Sequence, residues 1–246
     1  MPPFMMILLW KALTKMAVDL ISIDENYKRI MFESGEAMAK YRKPDEKLDI
    51  MAVTKTVEPA AVNHVVELGL GLLGENRVQE YLSKKELYDK RAEIQFIGHL
   101  QTNKVKYIID SVSMIQSVDS FKLAAEINKC AAKTGKIQDI LIEVNIAGEE
   151  SKSGIRADML EELIFQAAEL NNIRVKGLMT IPPAENPEIY LYNMQKLYID
   201  ISGKNIDNIS MDFLSMGMSG DYTDAIKYGS NIIRIGRGLF GPRTYK

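Results

Sequence analysis

The sequence has one cysteine, Cys130, and two histidines, His64 and His99, in 246 residues. A single thiol excludes an internal disulfide framework and points to a reducing compartment. With so few Cys and His residues and no cluster of them, a structural zinc site is excluded as well. Cys130 falls within AAEINKCAAKTG, a helical pattern that reads as inert packing. Excess charge is also missing: 31 Lys and Arg against 33 Asp and Glu leave a formal net charge of −2. Interspersed signs give no electrostatic footprint for nucleic acid or anionic lipid. Long apolar runs are absent too. The N-terminal MPPFMMILLWKALTK has an apolar core of about seven residues, against the roughly twenty that span a bilayer. No positive charge precedes that core and no small-residue cleavage site follows it, which argues against a secretory signal. Residues 1–21 are therefore expected to be an extension outside the fold, with Met16 as an alternative start, and the protein is expected to be cytoplasmic.

What is present is an ordinary globular composition, 46% apolar and 26% charged, long enough for one large α/β domain. From residue 22 the pattern turns regular. SIDENYKRIMFESGEAMAKYRK opens on Ser22 with Glu25 three residues on, a capping-box signature that predicts a helix start. Eight short apolar or β-branched runs follow: DIMAVT, GLGLLG, EIQFIG, SMIQSV, DILIEVN, RVKGLMTI, DFLSMG and NIIRIG. Helical periods such as PAAVNHVVELG, NRVQEYLSKKELYDKR, NKVKYIID and ADMLEELIFQAAEL lie between them. Buried strands alternating with helices imply a parallel sheet. Eight repeats in about 200 residues fit a single (β/α)8 TIM barrel over residues 22–246 better than an open sheet of five or six strands.

Barrel chemistry gathers at the C-terminal ends of strands. Those ends carry Lys55, Glu75 and Asn76, His99, Ser117, Asn145, Thr180, Ser219, and Gly236 with Arg237. Lys55 shares the phase of Met51 and Val53 and can point into the barrel mouth, where burial would favour the neutral amine that attacks carbonyls. The bland reading is a lysine snorkelling from a strand end. Ser219 and Gly220 follow the seventh strand, and Gly236, Arg237 and Gly238 follow the eighth, the usual place of this barrel's phosphate cradle. The glycines could equally serve tight turns. A lysine opposite a phosphate grip suggests a phosphorylated aldehyde held covalently, and pyridoxal 5′-phosphate (PLP) fits. Arg234, on the inward phase of strand eight, needs a partner: a salt bridge to Glu143, or the pyridine nitrogen of PLP. Asn76 with Gln79 reads as a capping box, with a possible second role beside the cofactor ring. His99 either lines the pocket or bonds locally, and His64 is a helix residue. Lys152, in the polar loop GEESKSG, is a solvated rival to Lys55.

The segments AVTKT, GENRVQE, FIGHLQTNK, VNIAGEESKSGI, VKGLMTIPP, LSMGMSGDYTDAIKYGS and IRIGRGLFGPR together resemble the pyridoxal phosphate homeostasis proteins, whose barrel is that of the alanine racemase N-terminal domain, PLP fold type III. The resemblance spans about residues 22–243. It implies that Lys55 holds PLP as a Schiff base and that Ser219, Gly236 and Arg237 take the phosphate. It also implies that Arg234 faces the ring nitrogen and that Asn76 and Met179 line the cofactor. The family commonly has threonine or serine where this chain has Arg237, leaving the backbone amide as the contact.

The racemases carry a C-terminal β-domain whose tyrosine supplies a second base, and this chain ends ten residues after Gly236. No such domain and no defined catalytic reaction are therefore expected. An arginine at the ring nitrogen, which weakens the ring as an electron sink, argues the same way. The expectation is a monomeric PLP carrier in vitamin B6 and amino-acid homeostasis, with apo-PLP enzymes as possible recipients. A slow amino-acid racemase, with Tyr222 or Tyr245 as second base, and a Schiff-base aldolase using Lys55 are the alternatives, and a barrel with a vestigial pocket is the structural one.

Overall fold

A computed structural model of the chain describes the backbone of residues 3–242 and the side chains of residues 20–242. The first helix, α1 (Pro3–Tyr41), runs unbroken through Ser22, so Ser22 and Glu25 form no capping box. The local signal loses because helical sequence continues upstream of it. From Leu20 onward α1 packs on the barrel through Ile23, Ile30 and Ala37, all buried and each about two helical turns from the next. The side chains of the expected extension up to residue 19 lie outside the described residues.

All eight predicted strands form: β1 (Asp49–Val53), β2 (Leu72–Glu75), β3 (Glu93–Phe96), β4 (Met114–Val118), β5 (Gln138–Asn145), β7 (Ile173–Met179), β8 (Ile209–Ser215) and β9 (Ile232–Ile235). A two-residue strand not foreseen, β6 (Ile155–Arg156), adds to β5. The order β4-β3-β2-β1-β9-β8-β7-β5 closes through a β4–β5 pairing, and every pair is parallel. This is the closed eight-stranded barrel that the alternation predicts. Helices α2 (Pro59–Glu67), α3 (Val78–Lys84), α4 (Phe121–Lys133), α5 (Leu160–Ala168), α6 (Pro187–Ser202), α7 (Tyr222–Lys227) and α8 (Arg237–Phe240) complete the outer layer. NKVKYIID folds as a 3-10 helix, Thr102–Tyr107. Pro59 occupies the first turn of α2, where its missing N–H costs nothing.

The outward faces of the strands and the helices share one large core. The inward faces form separate small clusters: Met51, Val53, Ile97 and Ile232 in one, and Met114, Leu141 and Met179 in the other. Gly74 belongs to this interior, since a Cβ there would lie 2.6 Å from Met51 Sδ. Cys130 is buried in α4, and burial pushes its thiol up, consistent with packing rather than reactivity.

Candidate functional site

A cavity of about 260 Å³ opens at the C-terminal ends of the strands. Lys55, Asn76, Ser219, Arg234, Gly236 and Arg237 all border it, drawn from β1, β2, β8 and β9 and the loops after them. Lys55 follows the inward pair Met51 and Val53, as the strand period requires. Met179 does not border it. That residue packs with Met114, Leu141 and Phe213, deeper in the barrel. Its phase is inward, but its level lies below the cavity.

The cavity favours anions. Lys55, Arg234 and Arg237 line it against one carboxylate, Asp221, which is already engaged: its Oδ1 accepts a 2.6 Å hydrogen bond from the Met218 amide. The Ser219 hydroxyl oxygen accepts from the Gly238 amide at 2.9 Å, so its own proton is available to donate. Arg234 is buried, and burial pushes its guanidinium down to about 10. Its Nη1 donates to Ser215 Oγ at 2.7 Å and its Nη2 to the Thr180 carbonyl at 2.8 Å. The expected salt bridge to Glu143 is not how Arg234 is held. Glu143 attracts it through space while accepting a 2.9 Å bond from Ser153, and burial raises the Glu143 carboxyl.

Asn76 caps no helix. Arg77 holds the N-cap position of α3, with no side-chain cap bond, and Asn76 Oδ1 is buried without a hydrogen-bond partner. The neighbouring chain fixes this residue from below: a Cβ on Gly98 would lie 2.1 Å from the Asn76 carbonyl oxygen, so only glycine permits the approach. An orphaned amide oxygen at a cavity wall awaits a donor.

The histidines, Lys152 and Tyr222 lie apart. His99 is exposed, 3.9 Å from Asp119 Oδ2, and does not line the cavity. His64 bonds Asp24 at 2.7 Å from its place in α2. Lys152 is exposed and outside the cavity wall. The Tyr222 hydroxyl donates to Glu33, away from the cavity, and Tyr245 lies outside the described residues. Sequence reasoning placed Val53 inward but missed Asp221 and the apolar walls Ile97, Ile181 and Pro182. It also missed how the Lys55 loop is held. Thr56 adopts a left-handed backbone, φ +63°, while its amide donates at 2.5 Å to Glu80 Oε1 and its hydroxyl donates at 2.6 Å to the Lys55 carbonyl. A β-branched residue with positive φ leaves no sequence mark, although Glu80 stands in the recognisable GENRVQE.

Comparison with known proteins bears on the family and the fold. Residues 18–244 match the family model of the alanine racemase N-terminal domain. The pyridoxal phosphate homeostasis protein of Aquifex aeolicus is 42% identical, covering 90% of this chain and 98% of its own. That of Escherichia coli K12 is 32% identical, covering 91% and 97%. Among solved structures, PipY of Synechococcus elongatus with PLP bound superposes with a TM-score of 0.76 at 25% identity, over 89% of this chain and all of PipY. An alanine racemase of Clostridium difficile shares the fold, with a TM-score of 0.67 at 17% identity, and the present chain covers 57% of it. The chain is a member of the pyridoxal phosphate homeostasis protein family.

Proposed function

We propose that the cavity binds pyridoxal 5′-phosphate, with the Lys55 amine as covalent anchor for its aldehyde, and that the protein serves intracellular PLP and amino-acid homeostasis. The observation that carries this reading is the meeting of Lys55 with an anion grip and an orphaned amide in one cavity. The residues fit the group. Ser219 has a proton to donate, Arg237 brings charge, and the loop after β9 begins on a glycine, so all three suit a phosphate. Arg234, pinned on two sides, offers a donor to a ring nitrogen and disfavours its protonation. Asn76 Oδ1, a buried acceptor without a partner at the cavity wall, would take a bond from a ring hydroxyl. Bound PLP supplies an electrophilic carbon and a conjugated ring, and the chain supplies the amine, the orientation and the charge balance.

Carriage rather than turnover is the function these residues favour. Among the described residues no Tyr, His or Cys borders the cavity, so a proton on the face opposite Lys55 has no evident acceptor but Asp221, whose Oδ1 is occupied. The relatives' name, homeostasis protein, supports the same reading. No described helix is long and apolar enough to cross a membrane. A cytoplasmic monomer that passes PLP to apo-enzymes is the form in which we propose it acts. The test is direct. Purified protein incubated with PLP and then reduced with borohydride should carry the ligand on Lys55, located by peptide mass mapping, and Lys55→Ala should carry none. A wild-type protein that stays colourless and unlabelled overturns the reading.

A further inference from the structure

A continuous chain of side-chain hydrogen bonds crosses the barrel interior from the cavity to the opposite face. Arg234 Nη1 donates to Ser215 Oγ at 2.7 Å, and Ser215 Oγ donates to Gln116 Oε1 at 2.7 Å. Gln116 Nε2 donates to Gln95 Oε1 at 2.6 Å, and Gln95 Nε2 donates to Glu93 Oε1 at 3.0 Å. Ser113 Oγ donates to that same oxygen at 2.7 Å. Arg234, Ser215, Gln116 and Gln95 are all buried, whereas Glu93 is exposed. Glu93 borders a second cavity, about 330 Å³, on the N-terminal face, together with Asp49, Asp139, Lys176 and Asp212.

The chain has one permitted direction. A guanidinium only donates and a carboxylate only accepts, so each hydroxyl and amide between them must pass its proton side toward Glu93. Reversing any one link would set two acceptors or two donors face to face. Aligned dipoles of this kind polarise one another and present negative ends to the cation. Burial disfavours the charge of Arg234; apart from the relay it is held by a bond to the Thr180 carbonyl, while Glu143 and Asp221 act on it through space.

We propose that this one-way relay holds Arg234 charged and aimed into the cavity, with Glu93 as its remote counter-ion on the far side of the barrel. Ser215, Gln116 and Gln95 are then positioning residues for the arginine. The consequence for PLP rests on the reading of the cavity given above, whereas the relay itself is a property of the ligand-free chain. The rival account is that Glu143 and Asp221 suffice and the glutamines merely fill space.

Three variants of the full-length protein decide between these accounts. Gln116→Leu breaks the chain at its middle. Glu93→Gln keeps an acceptor but removes the terminal charge, on an exposed residue. Asp49→Asn removes a charge from the same far cavity, one coupled to Glu93 only through space, without breaking any hydrogen bond of the chain. Guanidinium proton–nitrogen NMR of the ligand-free protein should resolve the Arg234 Nη protons in wild type. They should shift and broaden in Glu93→Gln and Gln116→Leu and stay in place in Asp49→Asn. PLP affinity should fall about three- to tenfold in the first two, the equivalent of roughly one hydrogen bond's net contribution, and stay within about twofold in the control. Arg234 signals in Glu93→Gln that superpose on wild type overturn the relay. So do equal shifts in Glu93→Gln and Asp49→Asn, which would assign the effect to bulk charge. Should Gln116→Leu not fold, Glu93→Gln alone carries the decision. Wild-type protein that fails to bind PLP sinks the reading of the cavity, while the ligand-free spectra still decide the relay.

Discussion

On the β1 side of the cavity, the Lys55 loop is tethered from a neighbouring helix. On the β8–β9 side, the loops that face it are held by glycines and by bonds among themselves. Thr56 sits at φ +63° because Glu80 on α3 grips its amide, while Lys84 bridges Glu80 at 2.6 Å and the Val57 carbonyl at 2.7 Å. A left-handed conformation costs a non-glycine residue about 1–3 kcal/mol, so this loop stores strain that the ion pair must offset. Opposite, Gly217 takes φ +94° with no such cost, and its carbonyl accepts the Arg234 amide at 2.9 Å. The side carrying Lys55 is a tensioned arm, and the side carrying Ser219 and Gly236 is relaxed. Under the proposed function, a covalent anchor for an aldehyde would gain from an adjustable loop, and a phosphate cradle from a fixed one.

Breaking the rigid side should have the largest effect. A Cβ on Gly217 would lie 2.5 Å from Ala225 Cβ, a rigid neighbour, and the residue would also be forced into left-handed φ. Gly217→Ala should therefore destabilise the protein by about 2–6 kcal/mol, the sum of backbone strain and overpacking. Denaturant unfolding would measure it, and a loss below about 0.5 kcal/mol, the range of ordinary surface substitutions, would show that the β8 loop is more yielding than its geometry implies.

Releasing the tensioned side should be milder and reversible. Glu80→Ala frees the Thr56 amide, lets the loop relax toward ordinary φ and moves Lys55 off its aim. PLP capture at Lys55 should fall about tenfold, equivalent to about 1.4 kcal/mol. Thr56→Gly removes the penalty for positive φ, so adding it to Glu80→Ala should recover most of that loss. A double variant no better than Glu80→Ala would mean that Glu80 acts through its charge rather than through the backbone it holds.

The two sides were also unequally legible in the sequence. Lys55, Ser219, Arg234 and Gly236 could be placed because strand period fixes which residues face inward, and strand ends fix the rim. Met179 shows the limit of that logic, since period assigns a face but not a depth. Asn76 and Ser22 each carried a cap pattern that the chain does not use. One side chain is spent on the cavity wall, and the other lies inside a helix that begins earlier. The relay left a trace that could have been read: Gln95 and Gln116 stand on the inward phase of EIQFIG and SMIQSV, two polar residues where a barrel interior is ordinarily apolar. The Glu80 tether left none, because it depends on a backbone angle that no composition or period encodes.

Acid should separate the two sides by the smallest but most diagnostic margin. Burial raises the Glu80 carboxyl, but bonds from Lys84 and from the Thr56 amide outweigh it and leave the group below its ordinary 4.5. The stabilisation it contributes is complete above 4.5 and is lost as pH falls through the folded value. Asp221 behaves oppositely: burial raises it above its ordinary 3.8, overriding the Met218 amide and the attraction of Arg234. Its contribution is complete below 3.8 and is lost as pH rises through the folded value, so acidification from neutral favours the folded Asp221 loop. Lowering the pH below 4.5 and through the folded Glu80 value should therefore loosen the Lys55 loop while the Asp221 loop holds. Amide exchange resolves this, with protection at Thr56 falling and protection at Met218 steady or rising. Both amides losing protection together would mean that the two loops open as one cooperative unit, and the division between a tensioned arm and a fixed cradle would not survive.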